Sequence, residues 1–133
     1  MNINSDHGED QIRDRLTDIT TKVSGKTGIP NIAVTVRRTI SADHTVFYAS
    51  YYDGRELALS PKYDLYPLDG VGSGDAFSAG LIYSVKKGSN AADSVRFAAA
   101  SCAMKHEISN DINFSSVEEI NSLMANRGLD VKR

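Results

Sequence analysis

Residues 70–75, Gly-Val-Gly-Ser-Gly-Asp, set three glycines and a carboxylate ahead of the apolar run Ala76–Tyr83. Where a chain enters a helix, the first backbone N–H groups have no intrahelical acceptor and the helix dipole adds positive potential, so anions bind there. Glycines let such a backbone adopt unusual dihedrals and approach phosphate oxygens closely. Gly72, Ser73 and Gly74 form the candidate nest. Asp75 repels phosphate unless it has chemical work, and general base is such work. It would take the proton of a substrate hydroxyl that attacks a terminal phosphate, while the amides hold the moving phosphoryl charge. By spacing alone a second reading stands beside this one: a tight turn followed by an acidic first-turn residue that stabilises its helix by ~0.3–1 kcal/mol.

Other loop chemistries fit less well. The stretch lacks the spaced Asp/Asn ladder and closing Glu of a calcium loop. Phe77 stands where a dinucleotide fingerprint needs its third glycine. SGKTG (24–28) imitates the end of a P-loop, but residue 20 is Thr, and Pro30 and a strand follow where a P-loop opens a helix.

The elements that must position the loop are legible from periodicity. Ile12, Leu16, Ile19 and Val23 recur at near-helical spacing between charged residues, which predicts an amphipathic helix from Glu9 to about Ser24. After Gly25, Gly28 and Pro30, the alternating Ile32, Val34 and Val36 of residues 31–37 and the aromatic run 45–52 read as strands. Asp53-Gly54 is a hairpin signal leading into 55–60, and 62–69 reads as one more extended segment. From Asp75 the pattern is helical and apolar nearly all round, predicting a buried helix that ends at Lys86, Lys87 and Gly88. Asn90 caps a second helix to about Lys105, whose Ala98, Ala99, Ala100, Ser101 and Ala103 allow close approach to a neighbour. Ser116 and Glu119 form a capping box for a third, to about Ala125.

The 133 residues suit one modest domain with a real core. A net charge of −2 offers no basic stripe for nucleic acid and no cationic face for a membrane. No apolar run approaches bilayer-spanning length and the polar start has no signal layout, so the expected location is cytoplasmic. The one cysteine, Cys102, reads as a small core residue rather than a reactive thiol.

DGVGSGDAFSAGLIY (69–83) resembles the C-terminal signature of the ribokinase-like (PfkB) family of carbohydrate kinases, roughly D-[TR]-x-G-[AG]-G-D-[AS]-F-x-x-G. IAVTVRRTISADHTVFYASYYDG and AAASCAMKHEISNDINFSSVEEINSLM, with the terminal DVKR, are similar to the 2-keto-3-deoxygluconate kinase branch, so the likeness runs over about 31–133. The resemblance implies the C-terminal portion of a three-layer α/β/α fold beginning at residue 29, preceded by a divergent helical segment, 1–28.

It also implies ATP-dependent phosphoryl transfer, with Mg²⁺, to a sugar or sugar acid. Asp75 would be the catalytic base and also touch the sugar hydroxyl, and Gly72, Ser73 and Gly74 the anion hole. Thr35, Arg37 and the neighbourhood of His106 resemble the walls of the ATP cleft. His106 alone also reads as a packing histidine. Asp111 resembles the acid that touches the keto-deoxy sugar, beside a plain loop-capping reading. The chain departs from the pattern at Gly70, where Arg or Thr is usual, at Ser73 in place of Gly or Ala, and at Asn110 in place of Gly.

Family kinases are much longer, and most of their parallel sheet, sugar-binding strands and lid have no counterpart here. An open sheet edge is therefore expected, with a complementing N-terminal half or a second copy as partner. The alternative function is a non-catalytic nucleotide- or protein-binding remnant. Phosphate-side residues do not distinguish among sugars, and dependence on a monovalent cation stays open.

Overall fold

The computed structural model describes residues 6–66, 70–107 and 115–130. Helix α1 (Asp6–Thr27) leads into strands β1 (Ile32–Ser41), β2 (His44–Tyr52), β3 (Leu57–Leu59) and β4 (Tyr63–Leu65). Helices α2 (Ser73–Lys86), α3 (Ala91–Lys105) and α4 (Val117–Asp130) follow. β2 is the hub of the sheet, pairing with β1, β3 and β4, and every described pairing is antiparallel. That suits a portion lacking most of the parallel strands that the resemblance implied.

The period-2 pleat of β1 and β2 assigns the two faces of the sheet. Ala33, Thr35 and Arg37 lie opposite Tyr51, Ala49 and Phe47, and these β2 residues join Phe77 of α2 and Val95, Phe97 and Ala98 of α3 in one buried cluster. Ile32, Val34 and Val36 lie opposite Tyr52, Ser50 and Tyr48 on the other face. Ser50 is fully buried there, and α1 touches β1, β2 and β3, so α1 covers that side. The result is three layers: α1, the sheet, and the remaining helices. The alternating apolar residues read from the sequence of β1 thus serve α1, while its helix-facing side carries small and polar residues.

Two expectations about apolar faces need correction. In α1 the inward stripe runs Ile12, Leu16, Thr20 and Ser24, strictly four residues apart, leaving Ile19 and Val23 about 40% exposed. Thr20 can take a core position because its hydroxyl donates to the Leu16 carbonyl, 2.8 Å away, which satisfies its polar atom inside the helix. Helix α2 buries only Ser73, Ala76, Phe77, Gly80 and Ser84, and Ile82, Tyr83 and Val85 remain exposed. It is a one-sided helix with an apolar outer face rather than a buried one.

The inner face of α2 meets α3 closely, as the small residues of α3 predict. A Cβ built on Gly80 would lie 3.1 Å from Ser101 Cβ and 3.2 Å from Ala98 Cα, so the bare glycine sets the helix separation. The caps also form as read. Asn90 Oδ1 accepts from Asp93 N at 2.8 Å, and Ser116 and Glu119 exchange their reciprocal bonds at 3.0 and 3.1 Å. The third predicted helix runs on to Asp130, past the expected Ala125. Asp53-Gly54 opens the β2–β3 connection, with Asp53 Oδ1 accepting from the N–H groups of Arg55 and Glu56.

Candidate functional site

Helix α2 begins at a left-handed Gly72, φ 81°, a conformation that disfavours side chains. Ala76 N donates to the Gly72 carbonyl at 2.9 Å. The Ser73 amide turns back to the Gly70 carbonyl at 3.3 Å, so the amides of Gly74 and Asp75 are the first-turn donors left for an anion. Asp75 is exposed in that same turn.

Helix α2 packs over β2 through Phe77 and Phe47 (centroids 6.4 Å, edge-on at 77°), with β1 alongside. A groove of about 760 Å³ opens between them, lined by Asn31, Ala33 and Thr35 of β1 and by Gly74, Asp75, Phe77 and Ile82 of α2, among others. Tyr51 lines it too, its hydroxyl donating to Asn31 Oδ1 at 3.1 Å. A Cβ on Gly74 would meet nothing within 4 Å, so packing within the chain does not require glycine there.

Beside the groove, Arg37 gathers groups from all three neighbouring elements. Its Nη2 donates to Ser73 Oγ at 2.5 Å and lies 3.9 Å from Cys102 Sγ; its Nη1 lies 2.8 Å from His106 Nε2. The guanidinium carbon sits 5.6 Å from the ring centre of Phe47, its cross-strand partner. His106 Nδ1 lies 2.8 Å from the Cys102 carbonyl, which can only accept, so Nδ1 carries the proton and Nε2 accepts from Arg37. The ring is neutral, and the Arg37 bond requires it to be.

Burial holds the His106 imidazole below its ordinary pKa. The charges of Arg37 and Lys105 act the same way, against the bond to the Cys102 carbonyl. Burial also pushes the Cys102 thiol up to about 11, with Arg37 pulling the other way; the residue behaves as the small core hydrophobe expected.

A stability prediction follows with a definite sign. His106 titrates near its ordinary value of 6.5 when unfolded and lower when folded, so the unfolded chain takes up a proton first as pH falls. The stability contributed by the neutral ring is full above pH 6.5 and is lost as pH drops through the folded value. Thermal midpoints should fall from pH 7 to pH 5 while NMR shows His106 neutral below pH 6.5; a His106 titration at or above 6.5 sinks this account. Asp53, lowered chiefly by the amides of Glu56 and Arg55, acts only in a separate, more acid window.

The structure therefore brings Thr35, Gly74 and Asp75 to one groove and joins Ser73, Arg37 and His106 in one network beside it. Asp111 lies outside the described residues, as does Asn110. Sequence reasoning missed Phe47 and Cys102 as neighbours of Arg37, and Asn31 and Tyr51 as groove walls. The first was hidden by a register shift: a turn at residues 42–43 alone would set Arg37 opposite Tyr48, and the irregularity between Thr39 and Ser41 moves it to Phe47. Among the described residues no three His, Cys, Asp or Glu side chains group to hold a metal ion, and no helix is long and apolar enough to cross a membrane.

Comparison with known proteins agrees with this fold. The model of the pfkB family carbohydrate kinases matches residues 41–116. A 2-dehydro-3-deoxygluconokinase from Thermotoga maritima aligns at TM-score 0.82 with 30% identity, over 85% of this chain and 34% of its own. A PfkB family carbohydrate kinase from Listeria grayi aligns at 0.79 with 30% identity, over 82% and 35%. This chain thus spans about a third of the length of those solved structures. No curated protein matches it. With the family model covering more than half of its residues, the chain belongs to the pfkB family of carbohydrate kinases.

Proposed function

We propose that this chain is the nucleotide-side portion of an ATP-dependent kinase acting on 2-keto-3-deoxygluconate or a related sugar acid. The observation that carries the reading is the meeting of Asp75, Gly74 and Thr35 as walls of one open groove. Asp75 takes the proton of the attacking sugar hydroxyl, and the first-turn amides of α2 hold the charge of the transferring phosphoryl group as that oxygen bonds to phosphorus and the ADP oxygen leaves. The α2 dipole supports the same charge.

Gly72, Ser73 and Gly74 shape the anion hole, Thr35 forms the β1 wall of the nucleotide cleft, and Arg37 adds positive potential beside it. His106, with both ring nitrogens engaged, enters through Arg37. Asp111 is assigned to the sugar acid. Mg²⁺ would arrive with the nucleotide and screen the phosphate oxygens; no described side chain is assigned to it.

Gly74→Ala separates ligand approach from folding. The added methyl has room within the chain and sits in a helix, where alanine is favoured over glycine by up to ~1 kcal/mol. Stability should therefore hold or rise, while ATP affinity falls by about tenfold, ~1.4 kcal/mol. Unchanged ATP affinity would mean that no phosphate comes close to this backbone.

A second reading, a non-catalytic remnant, is favoured by the share of the solved kinases that the chain spans and by the surfaces it leaves open. β1 has β2 as its one described neighbour strand, and Ile82 is 60% exposed on the adjoining face of α2. A complementing N-terminal kinase half would supply both a paired strand and apolar cover, and self-association through the same edge is the competing outcome. The test is to titrate Mg-ATP into the purified chain and measure ADP release with 2-keto-3-deoxygluconate, alone and with an N-terminal kinase portion added. ADP formation supports the kinase; ATP binding without turnover in either mixture supports the remnant; no ATP binding by folded protein overturns both nucleotide readings.

A further inference from the structure

Ser73 occupies a position where the family pattern has Gly or Ala, and its hydroxyl is bonded on two sides. It has one proton, which goes to the Gly70 carbonyl at 2.7 Å, so toward Arg37 Nη2 it accepts. The Ser73 amide meets the same carbonyl, so this residue closes the turn that delivers the chain into α2. On its other side the guanidinium is fixed by His106 Nε2 at the end of α3, and it lies over the Phe47 ring. Arg37 is not among the residues lining the groove, whereas the next two residues after Ser73, Gly74 and Asp75, are.

We propose that Arg37 is a positioning residue: clamped between His106 and Ser73, it fixes the first turn of α2 so that the Gly74 and Asp75 amides and the Asp75 carboxylate face the groove. This rests on the kinase reading of that groove. The planar guanidinium reaches two acceptors on two helices at once, a geometry that a lysine ammonium on the same stem does not reproduce. The clamp also requires an uncharged His106, because a protonated ring turns Nε2 into a donor and sets it against a cation. The charged and titratable groups acting on that ring are Arg37 from β1 and Lys105 from α3; the buried Cys102 thiol stays neutral across the acid range, and Ser73 of α2 does not titrate.

The experiment measures the dissociation constant of Mg-ATP by calorimetry for the wild-type chain, Arg37→Lys, Ser73→Ala and the double variant, from pH 7.5 to pH 5.5, with thermal midpoints alongside. Each single variant is expected to weaken binding at pH 7.5 by about tenfold, and the double variant by no more than about twofold beyond the weaker single one. Wild-type affinity should fall further on acidification than that of either single variant, because only the intact clamp responds to His106; the titration of ATP itself is common to all. Arg37→Lys binding as tightly as wild type, or losses that multiply in the double variant, overturns the proposal and makes the arginine a direct or independent contact. If Arg37→Lys does not fold, Ser73→Ala decides alone: weakened binding with a flattened acid response supports the clamp, and unchanged binding overturns it. A folded wild type that binds no ATP removes the kinase reading and this inference together, whereas binding that is insensitive to the variants removes only the inference.

Discussion

Asp75→Asn should lower phosphoryl transfer by about 10²–10⁴-fold, the usual contribution of a positioned general base, while leaving ATP affinity equal or tighter. The asparagine is nearly isosteric, keeps the backbone amide and keeps the helix start, since Gly72 rather than Asp75 sits at the N-cap. What it loses is a site for the hydroxyl proton. It also loses a negative charge at the groove where the nucleotide phosphates are proposed to lie, so ground-state binding is eased as catalysis is lost. Removing an acidic first-turn residue costs about 0.3–1 kcal/mol of helix stability, too little to unfold the chain. ADP release at saturating ATP and sugar acid, read beside the ATP dissociation constant, tests this. Undiminished turnover removes Asp75 as the base, and a loss of ATP affinity instead makes its role that of a structural helix-start residue. In a non-catalytic remnant the same substitution would tighten ATP binding with no turnover to lose.

The loop and its helix were legible because they depend on local chemistry. Glycine at a left-handed position, an acid in the first turn and Lys86 with Gly88 at the other end describe α2 with no tertiary information. The caps at Asn90 and Ser116 were readable for the same reason. Burial was less legible, because it depends on what packs against each face. The apolar circumference of α2 suggested full burial, yet nothing described covers Ile82 and Val85. In α1 the spacing of apolar residues pointed to Ile19 and Val23, while tertiary contact chose Thr20, whose hydroxyl the helix itself satisfies.

The strand register hid the rest of the site. Residues 38–44 hold one large apolar side chain, Ile40, among charged, small and polar ones, too little alternation to mark the extension of β1 to Ser41 and its tight turn into His44. Without that turn and the one-residue register shift between Thr39 and Ser41, the pairing of Arg37 with Phe47 was invisible. Nor could spacing alone bring Arg37, Ser73 and His106 together, since they lie on three separate elements and meet only when α2 and α3 pack on one face of the sheet.

Phe47→Ala should cost about 3–5 kcal/mol of folding stability, a large share of the ~5–15 kcal/mol available to a domain. Phe47 is fully buried at the centre of β2, the strand that pairs with every other described strand. Its ring meets Phe77 edge-on, the contact that seats α2 on the sheet, so truncation removes both buried area and the joint beneath the glycine loop. Collapse of α2 into the space is restrained because Gly80 already brings it against α3 at the closest workable distance. Urea unfolding measures the loss, and a change below about 1 kcal/mol would contradict this placement of the core. Phe47→Leu separates packing from electrostatics: it keeps most of the apolar volume but removes the aromatic face under Arg37. A folded Phe47→Leu chain with weakened ATP binding would tie the core to the loop through Arg37, whereas full affinity would mean that the bonds to Ser73 and His106 hold the guanidinium without the ring.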